Sequence, residues 1–190
     1  MDDSAERQSA DELLRRRLDI IAVTAVDVLG FDAATVSARI GDSVATIATT
    51  DERFHDLDMA QYETMDGPCV EALDVRDAIY VADLADEDRW QAYREAAQSV
   101  GVRTSLSLNA MSTQRLASTL NLYGRSPGVV GDQQIRRAQS FAARLAAALE
   151  GSEMHRAAAR LADQLADAMC VSAIQRALGR EHPRAARRRP

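Results

Sequence analysis

Cys69 is the side chain in this sequence whose position most suggests chemistry. It follows Gly67-Pro68, and proline suits the first position of a helix because its missing N–H would have no partner there. We therefore predict a short helix over Pro68–Asp74, and a thiol at a helix N-terminus can have a lowered pKa. This placement permits a thiol-based redox sensor. The alternative is a small buried side chain packed beneath a turn. A redox protein would also need a second cysteine as a resolving partner, and Cys170 lies in a separate C-terminal stretch.

Recognised metal and catalytic patterns are missing from the sequence. The three histidines are scattered, at His55, His155 and His182, without the His/Glu spacing that binds a metal ion. The sequence also lacks a Gly-x-Ser-x-Gly motif and a glycine-rich phosphate loop. We therefore predict no catalytic residues and no metal site, and the sequence identifies no cofactor.

An acidic cluster contains Asp83, Asp86, Glu87 and Asp88. Carboxylates are favourable at a helix N-terminus, where they oppose the positive end of the helix dipole. We predict that Asp86 caps a helix running through Val100. On this interpretation the cluster marks a helix start and needs no metal ion.

Hydrophobic periodicity predicts the elements that must position these residues. A 3.6-residue period predicts helices at Asp11–Leu29, Asp51–Met65 and Asp132–Leu149. Two-residue alternation predicts strands at Val36–Ile40, Val44–Thr49, Ala78–Ala82, Ser105–Met111 and Leu116–Tyr123. A turn at Gly41-Asp42 would join the first two strands as a hairpin. Helices interspersed with hairpins predict an α+β fold with one sheet and helices on its faces.

Composition is that of a soluble globular protein. The 190 residues are 46% hydrophobic and 27% charged, which suits one domain or a domain with an appendage. Residues 1–150 hold 15 Arg and 25 acidic residues, a net charge of −10, whereas residues 151–190 hold 8 Arg and 4 acidic residues, a net charge of +4. An acidic body repels nucleic acid. The start at Met1 lacks a signal-peptide pattern and no apolar run reaches about 20 residues, so we predict a cytoplasmic protein without a membrane role.

Six short blocks occur along the first 150 residues: Gln61-Tyr62-Glu63, Gly67-Pro68-Cys69, Asp83-Leu84, Asp88-Arg89-Trp90, Gly101-Val102-Arg103-Thr104-Ser105-Leu106-Ser107 and Leu120-Asn121-Leu122-Tyr123. In order and spacing they resemble the GAF domains of bacterial GAF–ANTAR regulators. The resemblance covers residues 13–150. It implies a GAF-like antiparallel central sheet of five or six strands flanked by helices, with long N- and C-terminal helices. It also implies a pocket between the sheet and the helices over one face, and dimerisation through the terminal helices.

The implied pocket would bind a small-molecule effector. The helical and alternating patterns place seven side chains near it: Phe54, Tyr62, Cys69, Tyr80, Trp90, Tyr93 and Asn121. The alternative is that the aromatic members of this set form the core, because aromatic residues make up only 4% of the chain.

The C-terminal piece resembles the start of a second module. Residues from Leu161 to His182 resemble the opening helix of an ANTAR domain, a three-helix RNA-binding module. The chain ends at Pro190, so we expect a truncated ANTAR-like helix within 151–180 and a basic, disordered tail at 181–190. The tail arginines are Arg184, Arg187, Arg188 and Arg189. Their contact with RNA phosphates would be nonspecific and would weaken with salt.

A long apolar stripe runs along the C-terminal helices. Apolar residues recur every three or four positions from Ile135 through Leu149 and again to Leu178, roughly 45 residues in all. We predict that a partner helix buries this stripe, so that pairing with Asp11–Leu29 and a second copy forms a four-helix dimer. The alternative is a helix that folds back on its own sheet.

The sequence therefore predicts a non-enzymatic, signal-responsive regulator acting in transcription regulation. A GAF-like domain would bind a small effector and dimerise. Two alternatives stay open: an RNA-binding antiterminator with a reduced ANTAR-like helix, and a thiol-based redox sensor through Cys69.

Overall fold

The computed structural model describes residues 3–75, 77–113, 116–128, 130–151 and 154–165. The helices of this part are α1 (Asp3–Leu29), α2 (His55–Thr64), α3 (Pro68–Val75), α4 (Gln91–Val100), α5 (Asp132–Leu149) and α6 (154–165). The strands are β1 (Ala33–Ile40), β2 (Ser43–Thr49), β3 (Ala78–Val81), β4 (Thr104–Ser112) and β5 (Ala117–Gly124). A 3-10 turn over Glu52–Phe54 leads into α2. The predicted α+β class is confirmed, and α1 begins at Asp3 rather than at Asp11.

The five strands form one antiparallel sheet in the order β2-β1-β5-β4-β3. In its centre Leu120 of β5 lies opposite Val36 of β1 and Leu108 of β4, whereas the next residue, Asn121, lies opposite Thr35. Successive residues of a strand point to opposite faces. The register therefore collects aliphatic side chains on one face of the sheet and hydroxyl and amide side chains on the other.

Helices α1, α5 and α6 cover the aliphatic face, which we call the apolar face. Leu18 of α1, Leu145 of α5 and Leu161 of α6 share one core cluster with Leu120 of the sheet, and each is at most 1% exposed. Burial of such side chains is the main favourable term in folding. This layer is therefore the hydrophobic core of the domain.

The C-terminal apolar stripe is not one continuous helix. Helix α5 ends at Leu149, and Gly151 has a φ of +95°, a value that L side chains rarely adopt. Helix α6 then packs against α1, where Arg160 pairs with Asp11 at 2.5 Å. The prediction that a second molecule must bury the stripe is wrong as far as residue 165, because one chain buries it. Leu178 lies outside the described residues.

Helix α4 begins at Gln91, later than predicted. Trp90 precedes it in the left-handed conformation, with φ of +53°, so the helix does not extend back to Asp86. Asp83, at the start of the acidic cluster, instead pairs with Arg103. Hydrogen bonds from that guanidinium lower the pKa of the Asp83 carboxyl. The cluster therefore belongs to an ion-paired loop before the helix.

Helices α2, α3 and α4 lie over the second face of the sheet, which we call the polar face. Helix α2 contacts β2 and α4, and α3 contacts β3, β4 and β5. The polar halves of the alternating strands are therefore enclosed within the domain instead of facing water.

A buried polar cluster as the candidate ligand site

The polar face consists of small hydroxyl and amide side chains that are almost fully enclosed. On the three central strands these are Thr35, Ser37, Ser105, Ser107, Thr119 and Asn121, each at most 1% exposed. With residues from β2, β5 and the helices, some of them form one hydrogen-bonded network, which we call the polar cluster: Thr35, Ser37, Thr46, Asp58, Tyr62, Cys69, Thr119, Asn121 and Tyr123. Convergent polar groups are a feature of small-ligand sites, although here they are packed together and the cavity of about 610 Å³ lies elsewhere, beside α4.

Asp58 contributes a carboxyl group to this cluster from α2. It is fully buried, and it accepts hydrogen bonds from the Thr46 hydroxyl at 2.7 Å and from the Tyr123 hydroxyl. Burial raises the pKa of the Asp58 carboxyl, and these hydrogen bonds oppose that rise. Asp58 is the one acidic or basic side chain that is fully buried within the described residues.

Tyr62 lies one turn further along α2. Its hydroxyl is 2.6 Å from Ser37 Oγ and 3.0 Å from Thr46 Oγ1. Burial and the nearby Asp58 raise the pKa of Tyr62 well above its ordinary value. The phenol is therefore neutral and can both donate and accept hydrogen bonds.

Cys69 joins the cluster from the first turn of α3. Its thiol donates to Ser37 Oγ at 3.3 Å and lies 3.2 Å from Thr119 Oγ1, and its backbone N–H donates to Gln61 Oε1. Burial, followed by the nearby Asp58 carboxyl, raises the pKa of the thiol to about 11. The lowered pKa considered from the sequence is therefore wrong, because desolvation outweighs the helix N-terminus. A reactive thiolate is not favoured here.

Several polar atoms in this region have no hydrogen-bond partner. Asn121 donates through Nδ2 to Ser37 at 2.9 Å and to Thr35 at 3.2 Å, but its Oδ1 is unpaired. The Tyr93 hydroxyl and Gln61 Nε2 are also buried and unpaired. An unsatisfied buried polar group costs about 1–3 kcal/mol. Such groups therefore mark positions where a ligand or water would add stabilising contacts.

Aromatic side chains flank the polar cluster. Phe54 stacks on Tyr123 with ring centroids 5.3 Å apart, and Trp90 meets Tyr93 edge-on at 6.4 Å. These four residues share one cluster of buried side chains. Buried aromatic rings therefore adjoin the hydroxyl groups of the polar cluster.

The structure brings six of the seven predicted pocket residues together. Tyr62, Cys69 and Asn121 belong to the polar cluster, and Phe54, Trp90 and Tyr93 belong to the adjoining aromatic group. Tyr80 lies apart: it packs with the apolar core, and its hydroxyl donates to the Gly128 carbonyl and accepts from the Val130 N–H.

Sequence reasoning missed Asp58, which is central to the cluster. The sequence spacing could have indicated its position: Phe54, Asp58 and Tyr62 are four residues apart, so Asp58 lies on the same side of a helix as two predicted pocket residues. It missed Ser37 and Thr35 because the polar half of an alternating strand ordinarily faces water.

The remaining predicted sites fall elsewhere. The tail arginines, Arg184, Arg187, Arg188 and Arg189, lie outside the described residues. Within the described part of the chain, no group of three histidine, cysteine or acidic side chains could hold a metal ion. The helices described here are all too short or too polar to cross a bilayer.

Comparison with known proteins identifies the family. The profile of the GAF domain matches residues 13–149, and the chain therefore belongs to the GAF domain family. No curated protein matches the chain.

Solved structures share the fold at low sequence identity. GAF3 of Slr1393 from Synechocystis, in its photoproduct state, has a TM-score of 0.60 and 16% identity, covering 72% of this chain and 92% of that chain. The type II free methionine-R-sulfoxide reductase from Thermoplasma acidophilum has a TM-score of 0.59 and 11% identity, covering 74% and 94%. The N-acylhomoserine-lactone-dependent LuxR family transcription factor CepR2 from Burkholderia cenocepacia has a TM-score of 0.53 and 20% identity, covering 72% and 82%.

Proposed function

We propose that this chain is a non-enzymatic, signal-responsive regulator that binds a small effector in the polar cluster. The observation that carries the proposal is the enclosed polar face of the sheet, where Asn121 Oδ1 and the Tyr93 hydroxyl have no partner. A purely structural core would gain more from aliphatic side chains at these positions, because unpaired polar groups are costly there. GAF domains are small-ligand sensing modules, and this chain belongs to that family.

Effector binding is tested by native mass spectrometry of the purified full chain. We expect a co-purified small molecule that is lost from an Asn121→Leu variant, because that change removes the central amide of the cluster. The control is Gln139→Leu, an exposed amide on α5, which should retain the molecule. Equal retention by both variants would place the ligand elsewhere.

A regulatory role fits the covering elements of the cluster. Helix α2 contributes Asp58 and Tyr62 to the cluster and α3 contributes Cys69. The junction of the two helices contains Met65 in the left-handed conformation, with φ of +50°. A ligand that prefers one arrangement of these helices shifts the population towards it. Transcription regulation is our proposed output, and one protein of similar fold is a transcription factor. Transcript profiles of a deletion strain and of a strain carrying Asn121→Leu, each compared with the wild-type strain, test this output. Transcripts that are unchanged in both strains would contradict it.

Homodimerisation is proposed through the outer side of α1. The inward side of α1 is buried within one chain, but Leu13, Ile20, Val23 and Val28 are 44–66% exposed on the outward side. Three of these, Leu13, Ile20 and Val28, are seven and eight residues apart, the spacing of a single helical stripe. A second copy of α1 would bury this stripe in a symmetric contact.

Charged residues border this stripe: Glu12, Arg16, Arg17 and Asp19 before its midpoint, and Asp27 after it. Sedimentation equilibrium tests the contact: Ile20→Arg should give monomer, whereas Val75→Arg, at an exposed position on α3, should remain dimeric. Monomeric wild-type protein at micromolar concentration would contradict the dimer.

The absence of enzymatic activity is also part of the proposal. A thiol pKa of about 11 at Cys69 supports it, because the thiolate is the reactive form. One protein of similar fold is a free methionine-R-sulfoxide reductase, so reduction of free methionine sulfoxide is the activity to assay. Turnover above the no-protein control would overturn this part of the proposal.

A further inference from the structure

Asp58 has no hydrogen bond or ion pair with a positively charged side chain. His55, one turn earlier in α2, is half-buried and acts on Asp58 only through space, where it lowers the pKa of the carboxyl. The groups that hydrogen-bond to Asp58 are neutral hydroxyls, of Thr46 from β2, Tyr123 from β5 and Thr35 from β1. The other titratable groups that face it are Tyr62, Cys69 and Tyr93. A buried carboxylate without an ion-pair partner is unfavourable. A proton on Asp58 or a cation from outside the chain would therefore stabilise this site.

Asp58 also has unused hydrogen-bonding capacity. A carboxylate can accept about four hydrogen bonds, and Asp58 accepts one on each oxygen, from Thr46 and Tyr123, with the Thr35 hydroxyl as a further partner. Asn121 Oδ1 is a second buried acceptor without a donor. The two residues belong to the same network, joined through Thr46, Tyr62 and Ser37. Within the polar cluster the free capacity is therefore that of acceptors, which suits a ligand that donates, and the adjoining Gln61 Nε2 is an unpaired donor.

We propose that the effector of this site is a small organic cation, a protonated amine or an amidine, whose N–H groups donate to Asp58 and to Asn121 Oδ1. The inference rests on the proposed ligand-binding function and specifies its ligand class. Carboxylates and phosphates are disfavoured, because an anion would be buried beside Asp58 without a counter-charge. The aromatic rings of Phe54 and Tyr123, which stack on each other beside the cluster, add π-electron density that attracts a cation. Since the cluster is closed by its own hydrogen bonds, α2 must move away from β2 to admit the ligand.

The test uses three molecules of one shape and different charge: benzamidine, benzamide and benzoate. Binding to the full chain is measured by isothermal titration calorimetry, and the site is located by amide chemical-shift changes in NMR. We expect benzamidine to bind about tenfold more tightly than the other two, the scale of one charge-assisted hydrogen bond. Asp58→Asn should weaken benzamidine about tenfold and abolish the preference. Glu63→Gln, an exposed carboxyl on the same helix, should leave it unchanged.

Wild-type protein provides a second readout that does not depend on a folded variant. Benzamidine stays positively charged from pH 4 to pH 8, so its affinity should rise with pH as Asp58 loses its proton. Benzamide affinity should not follow this rise. A flat benzamidine profile, or tighter binding of benzoate, would overturn the ligand class. Binding of benzoate or benzamide at Asn121 would still support the proposed ligand-binding function. If none of the three molecules binds and no molecule co-purifies, both the ligand class and the ligand-binding function are contradicted.

Discussion

The two faces of the central sheet are built from the same strands but work differently. On the apolar face, Leu106, Leu108, Leu120 and Leu122 pack against α1, α5 and α6. On the polar face, residues one position along the same strands, such as Thr119 and Asn121, hydrogen-bond to Cys69 of α3. Both faces are buried, so burial alone does not distinguish a core from a site.

The two faces contribute differently to the free energy of folding. The apolar face gains from desolvation, a term that needs no partner geometry. The polar face gains little net free energy from its hydrogen bonds, because equivalent bonds to water are lost. It does retain unpaired atoms, as at Asn121 Oδ1. The apolar face thus supplies most of the free energy of folding, whereas the polar face has unpaired atoms that can hydrogen-bond to a ligand.

The largest expected effect concerns access to the polar face. In a Cys170→Ser background, which leaves Cys69 as the sole cysteine, we expect labelling by a thiol reagent at pH 8 to be over about a hundredfold slower in native than in denatured protein. The reasons are complete burial and a pKa raised to about 11. Comparable rates in the two states would show that the polar face is open and would revive the redox hypothesis.

On the apolar face, truncation should be strongly destabilising. Leu120→Ala leaves a cavity at the centre of the sheet, where the side chain is fully buried, and should cost about 2–5 kcal/mol in the free energy of unfolding. Chemical denaturation measures this loss. Val75→Ala, at an exposed position, should change it by less than about 0.5 kcal/mol. A loss below about 1 kcal/mol for Leu120→Ala would refute the assignment of this face as the core.

The junction of α2 and α3 over the polar face should tolerate no side chain at Gly67. A Cβ there would lie 2.5 Å from Gln61 Cγ and Oε1, the same Oε1 that accepts the Cys69 N–H. Gly67→Ala should cost about 1–3 kcal/mol, because the backbone conformation also disfavours a side chain. Gly128→Ala, where nothing lies within 4 Å of the added Cβ, is the control for thermal unfolding. Equal midpoints for the two variants would argue against a tight junction.

The smallest effect is a difference in pH dependence. Burial raises the pKa of Asp58 in the folded state, so the folded chain holds this proton more tightly than the unfolded chain. Stability from this group is therefore greatest at low pH and is lost as pH rises from roughly 4, the unfolded pKa, to the folded pKa. Asp58→Asn should flatten this fall and be more stable than wild type at pH 7. Denaturant midpoints from pH 4 to pH 8 measure it, and parallel curves for the two proteins would contradict the raised pKa.

Much of the fold was predictable because periodicity reports directly on which side chains face a core. The alternation around Leu106 and Leu120 predicted two strands that pair, and the Gly41-Asp42 turn predicted the β1–β2 hairpin. The start of α4 was not predictable, because the left-handed conformation of Trp90 depends on its tertiary setting and not on local propensity.

The candidate site was only partly predictable for a similar reason. The family resemblance implied the pocket, and the helical and alternating patterns selected Tyr62, Cys69 and Asn121, which the structure joins in one network. Asp58 was missed, since an acidic residue on a helix is ordinarily solvated. Tyr80 was included although its side chain lies on the other face of the sheet.

By itself, the sequence determined which residues alternate along the strands and therefore that the sheet has one aliphatic and one hydroxyl-rich face. Only the tertiary structure decided that helices cover both faces, that α6 completes the core within one chain, and that a carboxyl group is enclosed without an ion-pair partner. The physical reason is that periodicity separates side chains by direction. The groups that surround the side chains on each face depend on contacts between distant segments, such as the contact of Asp58 with Tyr123, 65 residues apart.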